Sequence, residues 1–324
     1  TLPIPPTTFT ATPPIYEVRK ITLSWSGTIP GTSSIKQYVI QQATSTDGVN
    51  WSAYEALTTI VSSAASGTIE VNGSQIAGTY TRYRISVTDV LDAVSTFVVS
   101  NAVKKNSPPA TPIISCPMSG KSTYNTTPRF MITTGIEPDG QTQIVEVKID
   151  SGPWYNSVDN PERFSTSGYL GNGVKTVYQA EPLLAGNHTV TFRCLDSDIE
   201  SASAEVIRTF TVLEMPFEII TANVTHAKAT HIQTLRTAVN KVRSYYTLSP
   251  VSWKEEIIAG KTTIKNWPSH VTEIRKAIDS VILVINDFDA SGTFDIPAFT
   301  WLPIGMGRPR ADVMEQMHNL ISML

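Results

Sequence analysis

The sequence predicts a mainly β chain: two β-sandwiches in tandem, followed by a small α-helical repeat domain. Three observations carry that prediction. From Tyr16 to Val103, and again from Thr111 to Val212, apolar residues alternate in short runs broken by Gly, Asn, Asp and Ser, the two-residue period of half-buried strands. After Met215-Pro216 the apolar spacing lengthens to three and four residues, the stripe of a helix packed on one side. At 324 residues the chain is long enough for two or three cores of ordinary size.

Residues 1–13 are rich in Pro and Thr and read as an extended lead-in with no fold of its own, since proline fixes φ and removes a donor. Ile21, Leu23 and Trp25 then alternate in one strand, and Tyr38, Ile40 and Gln42 in the next. That strand reaches Asp47-Gly48, where a tight hairpin with positive φ is expected, and Trp51 resumes the pairing. After the turn residues Ala77-Gly78-Thr79, Tyr83, Ile85 and Val87 share one strand face. Trp25, the Asp47-Gly48 hairpin with Trp51, and Gly78 followed by Tyr83, Ile85 and Val87 resemble a fibronectin type III domain over residues 14–104. The resemblance implies a core role for Trp25 and a corner hydrogen bond from Tyr83. It does not extend to integrin recognition, because the chain contains no Arg-Gly-Asp.

Paired prolines at Pro108-Pro109 cannot continue a ladder, so residues 105–110 read as a linker. The same grammar returns over residues 111–214. Glu137-Pro138-Asp139-Gly140 reads as a turn, Ile144 to Ile149 as a strand, Asp150-Ser151-Gly152-Pro153-Trp154 as a hairpin, and Gly186-Asn187-His188-Thr189-Val190 as a turn entering a strand. The hairpin ending in Trp and the Gly-x-His-Thr-Val step resemble a bacterial immunoglobulin-like domain.

Residues 215–324 hold a helical repeat. Ile232, Leu235, Val239, Val242 and Tyr246 form one stripe, and Val271, Ile274, Ile278, Val281 and Ile285 form another. His231, Leu235 and Arg236 of the first copy recur 39 residues later as His270, Ile274 and Arg275. The leads Glu218-Ile219-Ile220 and Glu256-Ile257-Ile258 precede the two helices, with Thr230 and Ser269 expected as N-caps and Gln233 completing a capping box. A third, degraded copy follows Ile304-Gly305-Met306-Gly307, with Pro309 in its first turn and Met317, Leu320, Ile321 and Leu324 as its stripe. Such repeats cannot bury their stripes alone, so the three helices are expected to pack together, with Trp253, Trp267 and Trp301 covering the open end. This repeat after fibronectin-like modules resembles the C-terminal parts of phage and prophage tail or baseplate-associated proteins of Gram-positive bacteria.

Composition narrows the function classes. Charged residues make up only 16% of the chain, against about 25% on average, with Ser and Thr filling the difference as in many extracellular β modules. A net charge of −3 supplies no field for a nucleic-acid backbone, and no run approaches the roughly 18 apolar residues of a membrane span. No cofactor is expected and no catalytic pattern occurs: there is no Gly-x-Ser-x-Gly, His-Glu-x-x-His or Walker sequence. Gly168, Gly171 and Gly173 read as a turn, and Cys116 and Cys194 as two free, half-buried thiols in preference to a bridge. Asp196, Asp198 and Glu200, with Glu137 and Asp139, offer hard oxygen ligands, but a solvated loop is favoured over calcium. The repeated His231 and His270 read as fold residues in preference to metal ligands, and Arg236 and Arg275 as contacts to acidic or carbonyl groups of a neighbouring copy. Of the hairpin aromatics Trp51, Tyr54, Trp154, Tyr155 and Tyr169, all are expected to pack, with Trp154 and Tyr155 the best candidates for stacking on a sugar.

The expectation is therefore a non-enzymatic structural or adhesive component of a phage tail, a phage-like particle or another extracellular assembly. Its sandwiches would be spacers or decorations and its helical domain a docking element for other proteins or for further copies of itself. The alternatives are a carbohydrate- or cell-wall-binding surface adhesin and an accessory region of a secreted glycoside hydrolase.

Overall fold

A computed structural model of the chain describes residues 1–16, 20–197, 201–216, 228–257, 267–289, 291–294, 296, 299–304 and 310–324. The expectations placed on Asp198, Glu200, Glu218-Ile219-Ile220, Ile258, Gly305, Met306, Gly307 and Pro309 lie outside these residues. The chain divides into two compact units, and the division falls between Pro108 and Pro109, inside the expected linker. The bodies of the units are Thr1–Pro108 on one side, and Pro109–Glu137, Gln141–Ser197 and Ala202–Leu324 on the other.

The first unit is a β-sandwich. One sheet joins β1 (Thr8–Thr12), β3 (Lys20–Ser26) and β6 (Gly67–Asn72), all antiparallel. The other orders β2 (Ile15–Tyr16), β9 (Val103–Lys105), β7 (Tyr80–Asp89), β4 (Ile35–Ser45) and β5 (Glu55–Val61), with β8 (Val98–Val99) also paired to β7. Alternation delivers Ile21, Leu23 and Trp25 from β3, Tyr38 and Ile40 from β4, and Tyr83, Ile85 and Val87 from β7 into one buried cluster. Trp25 meets Tyr38 across the sandwich with ring centroids 5.1 Å apart.

Two expectations change here. The lead-in is folded: Thr8 to Thr12 pair in register with Ser26 to Thr22, and Phe9 and Ala11 are buried. Alternation at Phe9 and Ala11 outweighs the surrounding prolines, which fall on either side of the strand. Trp51 does not resume pairing, because β4 stops at Ser45 and β5 starts at Glu55, which leaves a longer loop. Asp47 organises that loop by accepting the Val49 and Asn50 amides at 2.8 and 2.7 Å, while Gly48 takes φ +74°. Tyr83 is fully buried, and in the same core the Tyr38 phenol donates to the Ala64 carbonyl at 2.6 Å.

The second unit repeats the topology. β10 (Ile113–Cys116), β12 (Arg129–Thr133) and β15 (Lys175–Gln179) form one sheet. β11 (Lys121–Thr123), β17 (Val206–Val212), β16 (Gly186–Asp196), β13 (Gln143–Ile149) and β14 (Trp154–Asn156) form the other. In both units the second strand pairs in parallel with the last, so the chain crosses from one sheet to the other before the core strands begin. Phe130 centres the core, with Phe210, Phe192 and Tyr178 at 5.3, 5.7 and 6.0 Å.

The helices are α1 (Ala229–Tyr245), α2 (Trp267–Phe288) and α3 (Ala311–Met323). Ile232, Leu235 and Val242 of α1, and Val271, Ile274, Val281 and Ile285 of α2, are buried, at roughly 1.5–3 kcal/mol for each large side chain. Thr230 and Ser269 are not N-caps: both lie inside their helices, which begin at Ala229 and Trp267. The expected third, separate domain is also revised, because helices and second sandwich share one hydrophobic cluster. Tyr245 donates to the Arg129 carbonyl at 3.2 Å, Asn125 Nδ2 and Arg129 Nη1 donate to the Met323 carbonyl at 2.9 and 2.8 Å, and the Cys116 thiol donates to the Tyr245 carbonyl at 3.1 Å. Three short helices leave apolar surface over, and the sandwich covers it.

Candidate functional site

Trp154 and Tyr155 of the second sandwich are not open platforms. Trp154 lies under Arg193, whose guanidinium carbon stands 4.1 Å from the ring centroid, and the Lys148 ammonium stands at 4.7 Å. Arg193 is closed in turn by Glu146, its Nε donating at 2.6 Å. Tyr155 points the other way, stacks on Tyr178 at 6.2 Å and is covered by Arg163, which pairs with Glu181. Adjacent residues of a strand face opposite sides, so Trp154 and Tyr155 cannot form one binding strip. Tyr169 is exposed on the turn that contains Gly168 and Gly173, both at positive φ.

The outer face of β4, β5 and β7 in the first sandwich is built differently. Arg82 and Arg84, two residues apart on β7, share a side and rise between aromatic rings. Arg82 lies 4.2 Å from Trp51 and 5.3 Å from Tyr54; Arg84 lies 4.1 Å from Tyr54 and 4.1 Å from Phe97. The loop that removes Trp51 from the strand is what brings its ring over Arg82. Arg84 spends its Nε on Gln41 Oε1 at 2.6 Å. The Arg82 side chain makes no hydrogen bond or ion pair among the described residues.

In the bundle, the repeated polar residues meet at one junction. Arg236 donates from Nη1 to the Glu255 carbonyl at 2.7 Å, and from Nη2 to His270 Nδ1 at 2.8 Å and Glu273 Oε2 at 3.1 Å. A guanidinium only donates, so His270 Nδ1 accepts and its proton sits on Nε2, facing Glu255 at 3.7 Å. Burial and the Arg236 charge depress the His270 pKa. Trp253 covers Arg236 at 4.8 Å. In the next copy Trp301 covers Arg275 at 4.7 Å and donates from its indole to Asp279 at 3.0 Å. These two tryptophans are lids on the repeat arginines instead of covers for the bundle end, and Trp267 is buried within the core. His231 accepts the Lys228 amide at 3.1 Å on Nδ1. In α3 the buried Met314, Met317, Ile321 and Leu324 take the places of Ile232, Leu235, Val239 and Val242, which puts Val313 at the histidine position. Arg275 is buried, and its Nε and Nη2 have no hydrogen-bond partner among the described residues.

Other candidates resolve into structure. Glu137 is buried and accepts the Gln141 amide at 2.6 Å, and Asp196 is buried. Among the described residues no group of three or more His, Cys, Asp and Glu is placed to hold a metal. His188 sits between Asp150 Oδ2 and the Leu184 carbonyl, both at 2.8 Å. Burial opposes its charge, but these two acceptors outweigh it and raise the pKa. Cys116 and Cys194 are free and fully buried, deeper than expected. A cleft of about 360 Å³ runs along α3, walled by Phe299, Leu302, Leu320 and Met323 and rimmed by Asp312 and Glu315. No helix among the described residues is long and apolar enough to cross a membrane.

The chain is thus a mainly β protein of two sandwiches with three C-terminal helices. No family model matches it, and no curated protein matches it. Among solved structures it is similar to the fibronectin(III)-like modules of Clostridium thermocellum CbhA, at 14% identity over 65% of this chain and 97% of that one, with a TM-score of 0.32. It is also similar to the FN1–FN3 domains of chicken CNTN1, at 16% identity over 71% and 73% of the two chains, with a TM-score of 0.29. A third likeness, covering 34% of this chain and 99% of the other at 16% identity and TM-score 0.26, is to the PKD domain of an M14-like peptidase from a Thermoplasmatales archaeon.

Proposed function

We propose that the chain is a non-enzymatic building block of an extracellular assembly such as a phage tail or phage-like particle. In this reading the sandwiches are spacer or decoration modules, and the helical bundle docks to other proteins of the assembly or to further copies of the chain. The observation that carries it is the use made of the repeat's polar residues. Arg236, His270 and Glu273 bond to one another across two helical copies, which gives them a role in holding the repeat together. The core continuous between bundle and second sandwich supports the same reading, since force applied to the helices passes directly into the sheets. Electron microscopy of the protein in its native source tests this. The expected result is a fixed position and copy number on a tail, baseplate or filament; a free monomer with no assembly partner overturns it.

A further inference from the structure

We propose that the outer face of β4, β5 and β7 in the first sandwich binds an anionic polysaccharide, whose carboxylate or phosphate groups are taken by Arg82 and Arg84. Arg193 and Arg163 also lie over aromatic rings, but each is neutralised by a glutamate, Glu146 and Glu181 respectively. Arg82 and Arg84 lie over aromatic rings with no carboxylate within ion-pairing distance among the described residues. The Arg82 Nε is buried without a partner among the described residues and only its two Nη groups are open to a ligand, while Arg84 spends its Nε on Gln41 and keeps its Nη groups.

Stacking between Trp51, Tyr54 and Phe97 fixes the guanidinium planes while their Nη groups make no hydrogen bond among the described residues, so little side-chain entropy is lost when an oxyanion arrives. A forked pair of donors matches the two oxygens of a carboxylate or phosphate. The two forks are about 7 Å apart along an extended strand, which suits anionic groups repeating along a polymer. A glycan fits this face better than a nucleic acid. Single-stranded nucleic acid needs free aromatic faces for its bases, and here those faces are occupied by guanidinium groups. The chain's net charge of −3 also withholds the broad positive field such a ligand uses.

The test is a binding titration of the full chain at low salt with polygalacturonate, with glycerol-phosphate teichoic acid and with single-stranded DNA. Binding to the first or the second supports the proposal and tells a carboxylate source from a phosphate source; tightest binding to DNA overturns it, as does no binding to either glycan. The double variant Arg82→Gln/Arg84→Gln is expected to weaken glycan binding about tenfold or more, while Arg193→Gln leaves it unchanged. A folded double variant that binds like the parent overturns the proposal. Should that variant fail to fold, the same titration is read on the parent protein by NMR of the arginine Nε–H groups. Shifts at Arg82 and Arg84 support the proposal, and their constancy at saturating polymer overturns it.

Discussion

At the scale of single residues, Gly67 stands opposite Trp25 in the smaller sheet of the first sandwich, and a Cβ there would lie 2.4 Å from the indole ring. Gly67→Ala is expected to cost about 1–3 kcal/mol through overpacking, read as a lower urea midpoint for the first unit. An unchanged midpoint would mean that the sheet gives way. Trp25 was legible from alternation; Gly67 was not, because a missing side chain leaves no mark in a hydrophobic pattern. The histidines make opposite predictions with pH. His188 has a raised pKa, so its contribution is complete below the unfolded value of about 6.5 and is lost as pH rises through the folded one. His270 has a lowered pKa among Arg236, Glu255 and Glu273, so its contribution is present above about 6.5 and is lost as pH falls through the folded value. Imidazole NMR titrations should place the two midpoints on opposite sides of that value, and both on the same side would refute the assignment. Position in the repeat suggested a fold role for His270, but nothing local indicated that its partner would be an arginine 34 residues earlier.

At the scale of elements, strands and helical stripes followed from periodicity, while their ends did not. Backbone hydrogen bonding carried α1 past the Thr230 cap signal, and Asp47 lengthened a turn that Asp-Gly alone would have closed. The far end of α1 is a Schellman turn, with Leu248 N–H on the Arg243 carbonyl at 2.8 Å and Thr247 at φ +62°. Thr247→Gly removes the left-handed penalty and is expected to stabilise the bundle by about 0.5–1 kcal/mol, after the entropy a glycine adds to the unfolded chain. A lower melting midpoint would contradict this. The repeat arginines should also diverge. Arg236→Met leaves Glu273 unpaired in a half-buried site and should cost about 3 kcal/mol, whereas Arg275→Met removes an Nε and an Nη2 that have no hydrogen-bond partner among the described residues and should be neutral or stabilising. Equal losses in chemical denaturation would show that repeat position, and not pairing, sets their worth.

At the scale of the whole molecule, the boundary at Pro108-Pro109 was readable because prolines end ladders, and the one between residues 214 and 215 was misleading. A change of period from two to 3.6 marks a change of element and says nothing about whose core the new element joins. Here Tyr245, Arg129, Asn125 and Met323 bind helix to sandwich. A fragment ending at Leu213 is therefore expected to lose several kcal/mol in its second sandwich, seen as early melting or aggregation, while residues 109–324 melt in one transition. Separate transitions for sandwich and bundle in calorimetry would count against the shared core.

The two cysteines lie on different sides of that arrangement. Cys116 is hydrogen-bonded to the helix end at Tyr245, and Cys194 is enclosed among the strands of the sandwich. Burial raises both thiol pKa values, that of Cys194 to about 11, so neither is a ready thiolate while folded. The molecule consequently carries a two-channel clock: an alkylating reagent that marks Cys116 ahead of Cys194 records the helices peeling away, and simultaneous marking records collapse of the entire unit.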